Sequence, residues 1–114
     1  MLTHIINHEM KCYVINLEEA VERKEFFLNQ LKTVDKDGLY SKNFEFFPAI
    51  SKTNTDQMKK YCKEFNITLK GGEAGCAISH LLLLRKIIEL EEEYTVIFED
   101  DAKIIHDKFL NVNE

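Results

Sequence analysis

Three consecutive carboxylates, Glu99-Asp100-Asp101, close the apolar run Thr95-Val96-Ile97-Phe98, and no other stretch of this chain is so suited to chemistry. Adjacent acids repel one another, and a bound divalent cation is one direct way to hold them together. Carboxylate oxygens suit a hard ion such as Mg²⁺ or Mn²⁺. A solvated acidic loop capping the next element explains the same residues, and from this stretch alone it is the better account. Gly71-Gly72-Glu73-Ala74-Gly75 is the second candidate. Glycines ahead of a helix let a ligand's backbone or phosphate approach closely, and helix amino termini attract anions. Ordinary loop and cap chemistry uses the same residue types. His80 falls near a packed helical face, where a histidine is more often structural than a ligand or base. His4 and His8 are spaced to pair on a helix face as metal ligands, but in a chain terminus fraying is the simpler expectation.

The elements that must position these residues follow from apolar spacing. Thr95 to Phe98 is β-branched and aromatic without polar alternation, which predicts a strand covered on both faces, as in a parallel sheet. The acids then lie just beyond its carboxyl end, where ligands bind in open α/β sheets. Cys12 to Leu17 predicts a first strand, with Asn16 at its end. Glu18, Glu19 and Glu22 followed by Arg23 and Lys24 match a helix dipole, and Val21, Phe26 or Phe27, Leu28 and Leu31 supply its apolar face. Thr33 to Asn43 reads as a loop. Phe44 to Ile50 reads as a second strand, with Pro48 favouring an edge or a strand end. Ser51 to Thr55 predicts a turn, and Asp56 to Phe65 a short helix whose Met58, Tyr61, Cys62 and Phe65 have core spacing. Cys76 to about Glu91 predicts the longest helix, with Ala77, Ile78, Leu81, Leu82, Leu84, Ile87 and Ile88 as a deeply packed stripe and Ser79, Arg85, Lys86 and Glu89 on the polar side. Ala102 to Ile105 starts another strand or a turn. The order strand, helix, strand, helix, helix, strand indicates an α/β layered fold.

A chain of 114 residues, 45% hydrophobic and 31% charged, is long enough for one domain with its own core. Of the net charge of −5, the stretch Glu89 to Asp101 contributes seven acids and no Lys or Arg, so the acidity belongs to one region. The basic stripe that nucleic-acid binding requires is missing. Cys12, Cys62 and Cys76 are odd in number and widely spaced, as expected of reduced, mostly buried thiols. Met1 to Met10 have no basic region followed by an apolar run, so no signal peptide is expected, and no apolar run approaches the ~18 residues of a membrane span. A cytoplasmic protein is the expectation. Residues 1–9 read as an amino-terminal extension, possessing no structural role, and residues 10–114 as the domain.

Three separated pieces coincide with one family. Val14-Ile15-Asn16-Leu17, with Arg23 following, resembles the opening "INL…R" of glycosyltransferase family 25, the lipooligosaccharide and lipopolysaccharide galactosyltransferase family. Gly72-Glu73-Ala74-Gly75-Cys76-Ala77-Ile78-Ser79-His80 resembles its "GE-x-GC-x-x-SH" signature, and Val96 to Ala102 is similar to its "vlEDDv" segment. Their order and spacing make the resemblance specific over Cys12 to about Ile105.

The resemblance implies a GT-A-like nucleotide-sugar-binding sheet with flanking helices, incomplete at the carboxyl end. It implies transfer of a sugar, galactose in the family's common form, from a UDP-sugar to a lipooligosaccharide or lipopolysaccharide acceptor, assisted by Mn²⁺ or Mg²⁺. Asp101 and Glu99 are then the metal ligands, and Asn16, Arg23, Gly75, Ser79, His80, Glu99 and Asp100 the residues around the nucleotide sugar. The partners implied are the nucleotide sugar and a glycolipid or oligosaccharide acceptor at the inner face of the cytoplasmic membrane. Departures are Ser51-Lys52-Thr53, where the family often has a glycine, and the length, since members generally run on into a second half that builds the acceptor site and supplies the base. No catalytic base is assigned, Asp107 included. A short chain also implies uncovered apolar surface and self-association. Two alternatives stand beside this reading: a catalytically silent nucleotide-sugar-binding remnant, and a receiver-like Mg²⁺-binding phosphoacceptor domain, in which Glu18-Glu19 would be the acidic pair but the glycine-rich signature would have no role.

Overall fold

The computed structural model describes residues 11–35, 38, 41–92 and 94–104. The expectations for residues 1–10, including His4 and His8, and for Ile105 onward, including Asp107, fall outside the described residues.

Three strands form one parallel sheet in the order β2-β1-β3: β1 is Lys11–Asn16, β2 is Phe44–Pro48 and β3 is Thr95–Glu99. Cys12 faces Phe44 on one side and Val96 on the other, which fixes the register across all three strands. β1 is central, and its apolar run on both faces is what a strand covered by helices on each side requires. The pleat divides it. Cys12 and Val14 pack with Phe27, Leu31, Phe98 and Ile104 on the face covered by α1, Val21–Val34. Tyr13 and Ile15 pack with Leu83 on the face covered by α3, Gly71–Glu89. Aromatic rings fill the α1 side: Phe27 lies 6.0 Å from Phe44, 6.1 Å from Phe46 and 5.7 Å from Phe98, centroid to centroid. Such tilted and edge-on contacts add to the burial of each ring.

β1 to α1 to β2 moves to one side of β1. The connection from β2 through α2, Thr55–Glu64, and α3 to β3 crosses to the other side. Helices therefore cover opposite faces, and the strand order reverses at β1, which is where an open α/β sheet leaves a crevice beyond its carboxyl ends. The prediction of a layered α/β fold holds, and Pro48 ends an edge strand as expected.

Several local expectations change. α1 runs on to Val34, past the loop start expected at Thr33, and buries Phe27 and Leu31, one turn apart, while Phe26 faces outward. α2 begins at Thr55, capped by Asn54, whose side chain accepts the Gln57 amide at 3.2 Å. Its Met58, Tyr61, Cys62 and Phe65 are half-buried rather than core, because α2 packs on α3 and never reaches the sheet's two clusters. The largest correction concerns α3. The glycine-rich stretch, expected ahead of a helix starting at Cys76, forms its first turns, so Gly75 lies inside the helix. The buried residues of α3 are Ala74, Gly75, Ile78, Ser79 and Leu83, while Leu81, Leu84 and Ile88 are exposed, Ile88 at 73%. Ser79, expected on the polar side, is completely buried. A helix this apolar has two faces that could serve as core, and composition does not choose between them.

Candidate functional site

A cavity of about 540 Å³ opens at the carboxyl ends of the three strands. It draws Leu17, Glu19 and Arg23 from the β1–α1 connection, Ile50 to Thr53 from the loop after β2, Gly72, Gly75, Cys76 and Ser79 from α3, and Glu99 and Asp100 from the end of β3. Its size suits a small organic ligand, within the usual range of about 300–1,000 Å³. A second cavity of about 530 Å³ lies beside α1 and β2, lined by Lys24, Leu28, Leu31, Lys32 and Asp35 among others, away from the strand ends.

Asn16 holds the strand ends together. Its carbonyl accepts the Ala49 amide at 2.9 Å, which joins the end of β2 to the end of β1. Its side-chain nitrogen donates to Asp100 Oδ2 at 2.9 Å and to the Ala20 carbonyl at 3.3 Å, which joins β3 and the start of α1. Arg23 Nη1 stands 3.6 Å from Asp100 Oδ1. Asp100 is 6% exposed, and a buried carboxylate of this kind is tolerable because it is paired and hydrogen-bonded.

The α3 wall is set by close backbone approach. A Cβ on Gly75 would stand 2.8 Å from the Ile50 carbonyl oxygen, so a side chain there collides with the loop after β2. One turn later, Ser79 Oγ accepts the Ile50 amide at 2.8 Å and donates to the Gly75 carbonyl at 2.7 Å. Ile50 is thereby held at both its N–H and its C=O side, and the loop carrying Lys52 is pinned to the helix.

Cys76 carries no sequence signal beyond its place in the signature and among three thiols expected to be mostly buried. It is exposed on the cavity wall, with Sγ 3.9 Å from Glu99 Oε1 and 3.8 Å from His80 Nδ1. Partial burial, with Glu99 beside it, raises the Cys76 thiol above its ordinary value. Glu19 and Ile50 also line the cavity, with adjacency to strand ends as their only signal in the sequence, and Leu17 joins them from the first motif. His80 bonds its own helix, Nδ1 to the Cys76 carbonyl at 2.9 Å, and is not among the lining residues. The structure thus brings together Asn16, Arg23, Gly75, Ser79, Glu99 and Asp100. Asp101 is exposed in the turn after β3 and stands apart from the cavity lining.

Among the described residues, no three His, Cys, Asp or Glu side chains converge as a metal cage. The donor set instead suits an ion that shares its coordination with a substrate. Mg²⁺ typically takes one or two carboxylates and completes its shell with phosphates and water. Glu19 and Glu99 are the cavity carboxylates with capacity for that, since both oxygens of Asp100 are engaged, and of the two Glu99 belongs to the acidic triplet.

A parallel sheet flanked by helices, with a cavity at its strand ends that carries several charged side chains, is compatible with a Rossmann-like ligand-binding unit. Comparison with known proteins makes this specific. Residues 9–114 match glycosyltransferase family 25 (LPS biosynthesis protein), and the chain belongs to that family. A Haemophilus influenzae protein named as a glycosyltransferase is 35% identical over 100 residues, covering 81% of this chain and 32% of its own. An Aedes aegypti glycosyltransferase 25 family member is 28% identical over 102 residues, covering 80% of this chain and 16% of its own. The chain therefore spans about a third and about a sixth of these relatives' lengths. Family membership displaces the receiver-like alternative. Among the described residues no helix is long and apolar enough to cross a membrane.

Proposed function

We propose that this chain forms the donor-binding part of a family 25 glycosyltransferase, which moves a sugar, galactose in our reading, from a UDP-sugar to a lipooligosaccharide or lipopolysaccharide acceptor at the cytoplasmic face of the membrane. The observation that carries the reading is one cavity at the strand ends lined by all three motif segments, through Leu17 and Arg23, through Gly72, Gly75, Cys76 and Ser79, and through Glu99 and Asp100, the last of which Asn16 holds by a hydrogen bond.

The chemistry asks for charge management. A nucleoside diphosphate brings two negative charges into a cavity that holds Arg23 and Lys52 as cations and Glu19, Glu99 and Asp100 as anions. Arg23 is already beside Asp100, which leaves Lys52 as the other cavity cation against the charges of Glu19 and Glu99. A divalent ion held by Glu99, with Asp101 recruited from the adjacent turn, would neutralise the departing diphosphate. Arg23 and Lys52 bind and orient the phosphates, and the pinned Ile50 loop keeps Lys52 in place. The exposed end of α3 at Gly72 leaves room for the diphosphate's approach.

The test is calorimetric titration of the chain with UDP-galactose, with and without Mn²⁺, with UDP-glucose and UDP-N-acetylglucosamine as competitors. Metal-dependent binding with preference for UDP-galactose is expected. A folded chain that binds none of these donors overturns the reading. A second reading is donor binding without transfer. It predicts the same titration but no release of UDP in the presence of an oligosaccharide acceptor.

A further inference from the structure

The acidic triplet is divided by the pleat. Side chains along β3 alternate between the two faces of the sheet. Val96 and Phe98 belong to the α1 side, and Ile97 to the α3 side with Tyr13, Ile15 and Leu83. Glu99 continues on the α3 side, where it meets Cys76. Asp100 comes next and turns to the α1 side. Since Val14 pairs with Phe98 and Ile15 with Glu99, Asn16 and Asp100 fall one step further on in the same register and on the same face. The 2.9 Å bond between them is the outcome.

We propose that Asp100 is a positioning residue that acts through Arg23, rather than a metal ligand or a direct contact to the sugar. One carboxylate oxygen is taken by Asn16 and the other stands against the Arg23 guanidinium. For Asp100 to turn toward a metal, Asn16, itself buried, would lose the nearer of the two acceptors of its side-chain nitrogen. Arg23 is different. Its side chain is 64% exposed, it lines the cavity, and a guanidinium with five donors keeps a free edge when one nitrogen faces Asp100. That free edge is available to a phosphate group of whatever occupies the cavity. Planar, fixed-fork donors are well matched to phosphate oxygens. The identity of the phosphate as a nucleotide sugar's rests on the donor-binding reading above; the coupling of Asp100 to Arg23 does not.

Three variants, D100N, R23Q and the double substitution, test this with pyrophosphate as the probe. D100N keeps the shape of Asp100 and an oxygen for Asn16, and it removes the charge that holds Arg23. Each single variant should lose about tenfold in pyrophosphate affinity, the scale of one charge-assisted hydrogen bond. The double variant should be no weaker than the weaker single one, because both changes remove the same contact. The Mn²⁺ concentration required for half-maximal binding should be unchanged in D100N, and the Arg23 Nε–H resonance should move. Additive losses, a raised Mn²⁺ requirement in D100N, or a wild-type chain that does not bind pyrophosphate each overturn the proposal. Retained pyrophosphate binding with the non-additive pattern, but no UDP-galactose binding, supports the Asp100 assignment and counts against the donor reading.

Discussion

Replacing Gly75 by alanine sets two opposed effects against each other, and the geometry decides between them. In a helix interior Ala is favoured over Gly by about 0.8–1.0 kcal/mol. At Gly75, however, the new methyl would stand 2.8 Å from the Ile50 carbonyl oxygen, well inside van der Waals contact. That oxygen is backbone, and its residue is bonded to Ser79 through the amide at 2.8 Å, so it cannot simply rotate away. Forcing extra volume into a packed contact costs about 1–3 kcal/mol. The net expectation for Gly75→Ala is a loss of about 0–2 kcal/mol. Gly72 is the internal control, since a Cβ there meets nothing within 4 Å and Gly72→Ala should gain up to about 1 kcal/mol. The two variants should therefore differ by about 1–3 kcal/mol in urea unfolding followed by circular dichroism. With a slope of about 1–3 kcal/mol/M, that separates their midpoints by roughly 1 M. A Gly75→Ala midpoint equal to that of Gly72→Ala would refute the argument that close approach of α3 to the Ile50 loop requires glycine.

Two further measurements bear on buried groups. Tyr13, buried and donating to Glu92 Oε1 at 3.2 Å, has its phenol pushed up from 10.0 to about 12, first by burial and then by the Glu92 charge. A folded pKa above the unfolded one means that this contribution is complete below about pH 10 and is lost as pH rises through 12, so unfolding midpoints should fall across that window and Tyr13→Phe should flatten the fall. The thiols should separate by reactivity. Exposed Cys76 should label in the folded chain and be protected by bound UDP-galactose, while Cys12, buried and raised to about 11 by desolvation, should label only on unfolding. Rapid labelling of Cys12 under native conditions would contradict its place in the core.

Much of the fold was legible because the strands carry unambiguous signals. The β1 and β3 runs are apolar on both faces, which only a covered parallel sheet accommodates, and Pro48 marked the edge. The helical faces were less so. Leu81, Leu84 and Ile88 have as good a claim to the core as Ile78 and Leu83 by hydropathy, and Ser79 has a worse one. What selects the buried face is not hydrophobicity but the chance to seat backbone against backbone. Gly75 permits contact with Ile50, and Ser79 is buried because its hydroxyl satisfies the Ile50 amide that the contact hides. Gly75 and Ser79 of the signature are therefore structural at the helix, and they hold the loop that lines the cavity.

The acidic triplet shows the other limit. Side-chain spacing along Glu99, Asp100 and Asp101 suggests three equivalent carboxylates, and equivalence is what invites a metal. A strand end removes it. Glu99 is the last residue of β3 and faces Cys76, Asp100 is turned inward to Asn16 and Arg23, and Asp101 has left the strand and faces solvent. Repulsion among neighbours is relieved by direction and by the Arg23 guanidinium, so no bound ion is required for the fold to tolerate the cluster. Any ion here must be recruited together with its phosphate ligands. The expectation that follows is an ordered one: titration with Mn²⁺ alone should produce little heat, and the same titration with UDP-galactose present should produce a saturable signal. Tight Mn²⁺ binding in the absence of nucleotide would show instead that the carboxylates converge as a preformed site, and the directional argument would fall.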